Sequence, residues 1–379
     1  MAAGAEADAR VRSRLDGLHG LLLRLAGRLP DGLVAQARQW LAEGRSVEVA
    51  QAVVFGTIAG RVAVTEADVS LLTGVLADAG EETEAVDDVP RGTPAPILHY
   101  RLAPYDPTVS AEPGERVPYP PKPTGRYDGS GRRDPVDLAL TGAVPERVPG
   151  VRALWRVWSF PDRATRWPPP RRMYLVQVIG DGGPDLPGVA AAAQAVLLAA
   201  GERDPRVEVF ADPGGLPEYQ RTALGRAALL WAAAPPRPIR FARDGHTTTG
   251  PGPGGDGERL DADERDRVLG YLDSGTPLLL TPDRAEDPLD RARGPVVPTN
   301  VRTDGSWIWT DAVSYHLREH GLTPEEDLLA HVRRNNHVMP EVDPVELHRA
   351  RAVLDALASG ESAVAGGSVP GTPFVRLFD

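Results

Sequence analysis

Residues 172–201, RMYLVQVIGDGGPDLPGVAAAAQAVLLAAG, contain the pattern that decides the fold class of this chain. The hydrophobic run that ends in glycine at residue 180 is typical of a buried β-strand. The glycine- and proline-rich stretch after it indicates a turn, and the alanine-rich stretch that ends at Gly201 indicates a helix. A strand, a turn and a helix in this order predict a βα unit.

Later stretches repeat this alternation of strand and helix. The runs VEVF at 207–210 and PLLL at 277–280 indicate further strands, and stretches with helical spacing lie between them. Strands that alternate with helices in this way predict a largely parallel sheet. We therefore predict an α/β domain over residues 171–358, in a chain that is α+β overall.

An appended β-hairpin is predicted inside this domain, where PTNVRTDGSWIW spans residues 298–309. The dipeptide Asp304-Gly305 stands between two extended runs, which indicates a type I′ turn. The residues that follow predict a helix that starts after Thr310 and ends at Gly321.

The other segments differ from the α/β domain in composition. Leucines at helical spacing predict a small helical bundle in residues 1–88. Residues 89–170 form a predicted proline-rich connecting region, since residues 90–170 hold 17 of the chain's 38 prolines. Alternation in residues 151–160 predicts one strand there. Residues 359–379 predict a flexible linker and an apolar tail.

The order of the sequence boxes YLVQV, LPEYQR, LLWAAA and DGSWIWTDAVSYHL resembles that of uncharacterised proteins from high-GC bacteria. The resemblance carries no established activity. It therefore implies no catalytic residue, cofactor or partner.

The amino-acid composition excludes several kinds of chemistry. The 379 residues include no cysteine, so disulfides, thiolate metal sites and cysteine nucleophiles are excluded. The single lysine, Lys122, stands among prolines, and the chain has neither a Gly-Lys-Ser/Thr phosphate loop nor a G-x-S-x-G motif. Catalysis would therefore depend on Asp, Glu, His and Arg.

The charge and hydropathy of the chain bear on its partners and its location. A net charge of −11 argues against nucleic acid and against an anionic membrane surface as partners. The sequence contains no apolar run of bilayer length and no basic n-region followed by an apolar core. We therefore expect a cytoplasmic protein without membrane insertion.

One histidine-rich stretch raises the question of a metal site. His316, Glu319 and His320 read H-x-x-E-H, the order of inverzincin peptidases, in which two imidazoles bind zinc and the glutamate activates water. Such a site also needs a third ligand, and the nearby His331, His337 and His348 keep the metal hypothesis open. However, Gly321 ends the predicted helix directly after His320, where a histidine also interacts favourably with the helix dipole. We predict a structural helix, with no metal and no cofactor, and keep a zinc hydrolase as an alternative.

A second candidate site is the turn formed by Gly180, Asp181, Gly182 and Gly183. It follows a predicted strand and precedes a helix, where glycines let a phosphate approach the backbone. The G-x-G-x-x-G spacing is not met, and an ordinary βα turn needs glycine as well. An α/β enzyme that binds a nucleotide or phosphate ligand is therefore a further alternative.

The apolar tail supports the leading hypothesis. Phe374, Val375, Leu377 and Phe378 follow a flexible linker, as expected of a peptide that docks on another protein. Because the usual nucleophiles and the phosphate loop are missing, we expect a non-catalytic interaction or adaptor protein of a bacterial multi-component system.

Overall fold

The computed structural model describes residues 2–93, 100–104, 134–161, 169–180, 183, 185–242 and 260–358. These residues divide into two compact units, of which unit 1 ends at Ala234 and unit 2 begins at Pro235. Both units contain helices and strands, so the chain is α+β overall, as predicted.

Unit 1 begins with helices that share one hydrophobic core. These helices are α1 (Ala2–Leu25), α2 (Asp31–Ala42), α3 (Ser46–Gly60), α4 (Glu66–Asp78) and the short α5 (Glu84–Asp87). Leu18, Leu22 and Leu25 of α1 are fully buried in that core, together with Leu72 of α4. Thr65 caps α4, because its hydroxyl accepts the backbone N–H of Asp68. The leucines of α1 that show helical spacing therefore share one buried face, as expected of a helix.

The rest of unit 1 consists of a mixed sheet and three helices. The strands are β1 (Tyr100–Ala103), β2 (Val151–Pro161), β3 (Arg171–Val178), β4 (Arg206–Phe210) and β5 (Ala228–Ala232). The helices are α6 (Pro135–Arg147), α7 (Leu186–Ala199) and α8 (Glu218–Gly225). β2 pairs antiparallel with β1, β3 and β5, whereas β3 and β4 pair parallel.

The sheet of unit 1 therefore differs from the largely parallel sheet that the sequence predicts. The difference arises from β2, which alternation identified as a strand but which was assigned to the connecting region. The predicted boundary between residues 170 and 171 separates β2 from β3, which are hydrogen-bonded neighbours. Periodicity identifies a strand but does not identify its partners, and β2 brings antiparallel partners into the centre of the sheet.

Buried polar side chains form hydrogen bonds between the N-terminal helices and this sheet. Arg38 of α2 donates to Glu208 of β4 at 2.6 Å, and both side chains are almost fully buried. Gln220 of α8 also donates to Glu208, at 2.9 Å. Nε2 of His19 donates to the carbonyl oxygen of Val209 at 2.9 Å. The helices and the sheet of unit 1 are thus held together by hydrogen-bonded charges as well as by apolar packing.

The described residues of unit 2 form two smaller sheets, four α-helices and a short 3₁₀ helix, Arg291–Arg293. In chain order its elements are β6 (Arg240–Phe241), α9 (Ala262–Asp273), β7 (Thr276–Leu279), β8 (Arg284–Glu286), β9 (Pro295–Pro298), β10 (Val301–Thr303), β11 (Trp307–Thr310), α10 (Asp311–His320), α11 (Glu326–Arg334) and α12 (Pro344–Ala358). The first sheet has the order β6-β11-β10-β7, and β8 pairs antiparallel with β9.

The predicted hairpin is present, but its turn is not of type I′. β10 and β11 pair antiparallel, with Thr303 opposite Ile308. Gly305 has a positive φ of +88°, whereas its neighbours Asp304 and Ser306 do not, and a type I′ turn needs positive φ at both central residues. The carboxylate of Asp304 instead accepts the backbone N–H groups of Ser306 and Trp307, each at 2.8 Å. An aspartate whose side chain bonds the backbone of its own turn in this way forms an Asx turn, and Gly305 supplies the positive φ.

Candidate metal centre

The candidate site is built around Asp287, in the loop that connects β8 to β9. Its side chain is fully buried. One carboxylate oxygen, Oδ1, accepts the backbone N–H of Leu289 at 2.9 Å. The other, Oδ2, accepts the hydroxyl of Tyr315 at 2.9 Å and Nε2 of His320 at 2.8 Å. This carboxylate therefore connects the loop to two side chains of α10.

Helix α10 brings its polar side chains to this carboxylate from one side. Tyr315, His316, Glu319 and His320 are separated by helical spacings of three and four residues, so they lie on adjoining faces. The rings of His316 and His320 have centroids 5.9 Å apart. The helix ends at Gly321, whose φ of +68° is the left-handed conformation of a helix C-terminus. The end that Gly321 predicted is thus confirmed.

Asp287, His316 and His320 together offer a set of metal ligands. One ligand atom from each of these residues lies within 4.8 Å of the other two. Ligands bound tetrahedrally to one zinc ion at about 2.0–2.2 Å lie about 3.3–3.6 Å apart, so side-chain rotations that bring these atoms closer together would close the set around an ion. Two imidazoles and one carboxylate are the ligand set of several zinc and non-haem iron centres. Among the described residues, this is the one group of three such side chains that meets the distance condition.

The electrostatics of the site keep the carboxylate charged and the phenol neutral. Burial opposes ionisation of Asp287, but hydrogen bonds from Leu289, His320, Tyr315 and the backbone of Asp290 outweigh it and hold its pKa well below the usual range. Burial, together with the adjacent Asp287 carboxylate, raises the pKa of Tyr315. Tyr315 therefore remains a donor to Asp287, and Asp287 is already in the ionised form that a metal ligand requires.

Arg293 connects the buried part of the site to solvent. Its Nη1 donates to the hydroxyl of Tyr315 at 3.0 Å and lies 4.0 Å from Oδ2 of Asp287. Its Nη2 donates to Oε2 of Glu319 at 2.9 Å. The hydrogen bond to Glu319 raises the pKa of Arg293. The carboxylate of Glu319 is therefore held in an ion pair with Arg293.

A second cluster in unit 2 has a similar construction. Oδ2 of Asp304 accepts the hydroxyl of Tyr271 at 2.6 Å and Nε2 of His331 at 2.7 Å. In place of a second imidazole, this cluster has Asn335, whose amide nitrogen donates to Tyr271 at 2.9 Å. An amide NH₂ group has no lone pair that it offers to a metal ion. This cluster therefore lacks the third ligand that the Asp287 cluster has.

The sequence identified two of the three candidate ligands and missed the third. H-x-x-E-H marks His316 and His320, and a third ligand was the requirement that it left open. Asp287 lies 29 residues before His316, in the stretch AEDPLD, where no local pattern distinguishes it from a loop aspartate. The prediction of no metal site rests on the helix end at Gly321 and on the need for a third ligand, and the loop between β8 and β9 supplies a candidate for that ligand.

The structure describes only part of the predicted glycine-rich site. The backbone N–H of Gly183 donates to the carbonyl of Gly180 at 2.8 Å. A Cβ at Gly183 would lie 2.2 Å from the carbonyl oxygen of Ile179, so the turn itself requires glycine. The carboxylate of Asp185 accepts the N–H of Gly188 at the start of α7, where an anionic ligand would otherwise bind. Asp181 and Gly182 lie outside the described residues, and ligand binding at this turn stays a prediction.

The predicted docking tail also stays a prediction. Phe374, Val375, Leu377 and Phe378 lie outside the described residues. The adaptor function that depends on this tail is neither supported nor opposed by the described part of the chain.

No family model, curated protein or solved structure matches this chain. Among the described residues, none of the helices combines the length and apolar character that a membrane crossing requires. Function is therefore inferred from the geometry of the site.

Proposed function

We propose that unit 2 binds one divalent transition-metal ion, zinc being the first candidate, through Asp287, His316 and His320. The observation that carries this proposal is the convergence of two imidazoles and one ionised carboxylate within 4.8 Å. Imidazole nitrogen and carboxylate oxygen are good ligands for zinc, and neither requires the cysteine that the chain lacks.

The proposal concerns metal binding and does not extend to hydrolysis. Three protein ligands leave at least one coordination position for water or an exogenous ligand, as in catalytic zinc sites. A hydrolase of the H-x-x-E-H type would also need Glu319 as a base beside that water. In this structure the Glu319 carboxylate is paired with Arg293 at 2.9 Å, so the geometry supports metal binding and supplies no observation of a base beside the metal position.

The test is the zinc content of the full-length protein and of matched histidine variants. We expect about one zinc ion per chain after equilibration with zinc and removal of excess metal, with binding coupled to increased stability. Zinc at a hundred times its dissociation constant should stabilise the protein by about 2.7 kcal/mol in thermal unfolding. His316→Ala and His320→Ala should each abolish this response.

The matched control is His331→Ala, which removes the histidine of the second cluster. His331 also bonds a buried aspartate in unit 2, so its loss should perturb folding in a comparable way but leave the zinc content unchanged. A zinc-equilibrated wild-type protein without bound metal would refute the proposal. Retention of zinc by both His316→Ala and His320→Ala would refute the ligand assignment.

A further inference from the structure

We propose that the metal centre binds an oxyanion, a phosphate or a carboxylate, which Arg293 holds in place of Glu319. This inference rests on the proposed function, because the oxyanion would complete the coordination of the bound metal. When no ligand is bound, Arg293 forms an ion pair with the Glu319 carboxylate instead.

Arg293 is positioned beside the candidate metal ligands. Its Nη1 is fixed by the Tyr315 hydroxyl at 3.0 Å and lies 4.0 Å from Oδ2 of Asp287, one of the candidate ligands. The guanidinium carbon lies 5.8 Å from the centroid of the Tyr315 ring. One terminal nitrogen of the guanidinium, Nη1, is therefore anchored beside the candidate metal ligands. The other terminal nitrogen, Nη2, donates to Glu319.

The exposure of these residues gives the direction of access. Asp287 is fully buried and His316 is 6% exposed. By contrast, the side chains of Arg293 and Glu319 are 39% and 34% exposed, and that of His320 is 20% exposed. An exogenous ligand would reach the ion along the edge formed by Arg293, Glu319 and His320.

The charge balance favours exchange of Glu319 for such a ligand. An ion pair that is exposed to this degree contributes little to stability, because water and salt screen it. A bound divalent ion and Arg293 carry three positive charges together, against one negative charge on Asp287. Once Glu319 has moved away, the site has an excess of positive charge at the open coordination position.

The geometry of arginine selects the class of ligand. Its planar fork binds carboxylate and phosphate groups through paired hydrogen bonds, and oxygen atoms of these groups also coordinate zinc. The hydrogen bond from Nη2 to Glu319 shows that this edge of the fork already holds a carboxylate. An oxyanion that bridges the ion and Arg293 would satisfy both groups.

The test uses full-length protein loaded with cobalt(II), whose visible absorption changes when a ligand enters its coordination sphere. The probes are inorganic phosphate and, separately, acetate. We expect a saturable spectral change with at least one of them, and the more effective probe identifies the class. Arg293→Gln should weaken that response about tenfold or more, whereas Glu319→Gln should tighten it several-fold because the competing carboxylate is removed.

The matched control is Glu264→Gln, since Glu264 forms an ion pair with Arg333 in the same unit, away from the candidate ligands. This variant should respond as the wild type does. Cobalt content is measured first for every variant, and Glu319→Gln remains decisive if Arg293→Gln loses metal.

Cobalt-loaded wild type without a spectral response to either anion would overturn the oxyanion inference and leave metal binding intact. An unchanged response in both Arg293→Gln and Glu319→Gln would overturn the role of Arg293. Failure of the wild type to bind cobalt or zinc would overturn the proposed function and this inference together.

Discussion

Unit 2 contains two clusters in which a buried aspartate accepts hydrogen bonds from one tyrosine and one histidine. In one cluster Asp287 bonds Tyr315 and His320, and in the other Asp304 bonds Tyr271 and His331. Both aspartate side chains are fully buried, and both histidines are slightly exposed. The shared arrangement is therefore a general way of fastening a loop to a helix.

The two clusters differ in the residue that stands one helical turn from the histidine. His316 precedes His320 by four residues, whereas Asn335 follows His331 by four residues. The first pair places two imidazoles beside one carboxylate, and the second places an imidazole and an amide there. Under the proposed function, a buried Asp–His hydrogen bond does not by itself make a metal site, and the additional imidazole distinguishes the Asp287 cluster.

The largest effect is expected at Asp304, which has a structural role in this comparison. Asp304→Ala removes the acceptor for two side-chain donors and for the backbone N–H groups of Ser306 and Trp307. Several donors would then lose their partner in a buried site, so the free energy of unfolding should fall by about 3–5 kcal/mol. Urea denaturation measures this loss. Zinc stoichiometry should be unchanged, and loss of zinc from a folded Asp304→Ala protein would contradict the division of roles.

A buried histidine without a carboxylate partner extends the comparison to unit 1. His19 donates to the carbonyl of Val209, and burial lowers its pKa from 6.5 to about 4, while Arg38 adds to that shift. The unfolded chain binds this proton at a higher pH than the folded chain does. The contribution of neutral His19 to the free energy of unfolding is therefore fully present above pH 6.5 and is lost as the pH falls towards 4. The decrease attributable to His19 should approach about 3 kcal/mol.

Acid titration of unfolding in the wild type and in His19→Gln measures this contribution. Glutamine retains a donor for Val209 but does not titrate, so its stability should vary less between pH 6.5 and pH 4. Parallel pH profiles for the two proteins would show that His19 is not the group responsible.

An intermediate effect, on zinc affinity, is expected from the tyrosine of the Asp287 cluster and none from the tyrosine of the Asp304 cluster. Tyr315→Phe removes the hydroxyl that orients Asp287, and loss of such an orienting hydrogen bond typically lowers metal affinity by about 10–100-fold. Tyr271→Phe removes the equivalent hydroxyl from the Asp304 cluster and should leave zinc affinity unchanged. Competition with a zinc chelator measures both affinities. Equal affinities in the two variants would break the comparison.

The smallest expected effect is the gain of a weak second site. The amide nitrogen of Asn335 lies 3.1 Å from Nε2 of His331. In a histidine at this position, Nδ1 would be separated from Cα by the same number of covalent bonds as the amide nitrogen of asparagine. Asn335→His should therefore raise zinc binding from about one to about two ions per chain, the second ion being the weaker. Direct titration by calorimetry counts the ions. A stoichiometry that stays at one would show that a second imidazole is not enough.

Local features of the fold were predictable from the sequence because they depend on neighbouring residues. The leucine spacing of α1, the cap at Thr65 and the helix end at Gly321 are each set within a few residues of the chain. The direction of strand pairing was not predictable in this way. The partners of β2 lie before and after it in the chain, and only tertiary packing selects them.

In the candidate site, too, some features depend on local sequence and others on long-range contacts. The sequence by itself determined that the chain has no thiolate or lysine chemistry beyond Lys122, and that His316 and His320 lie one turn apart on a helix. Tertiary structure alone decided which carboxylate meets them, because Asp287 belongs to a loop whose position depends on β8, β9 and α10. Helical spacing is fixed by local backbone geometry, whereas the meeting of a loop and a helix depends on long-range contacts that local sequence does not encode.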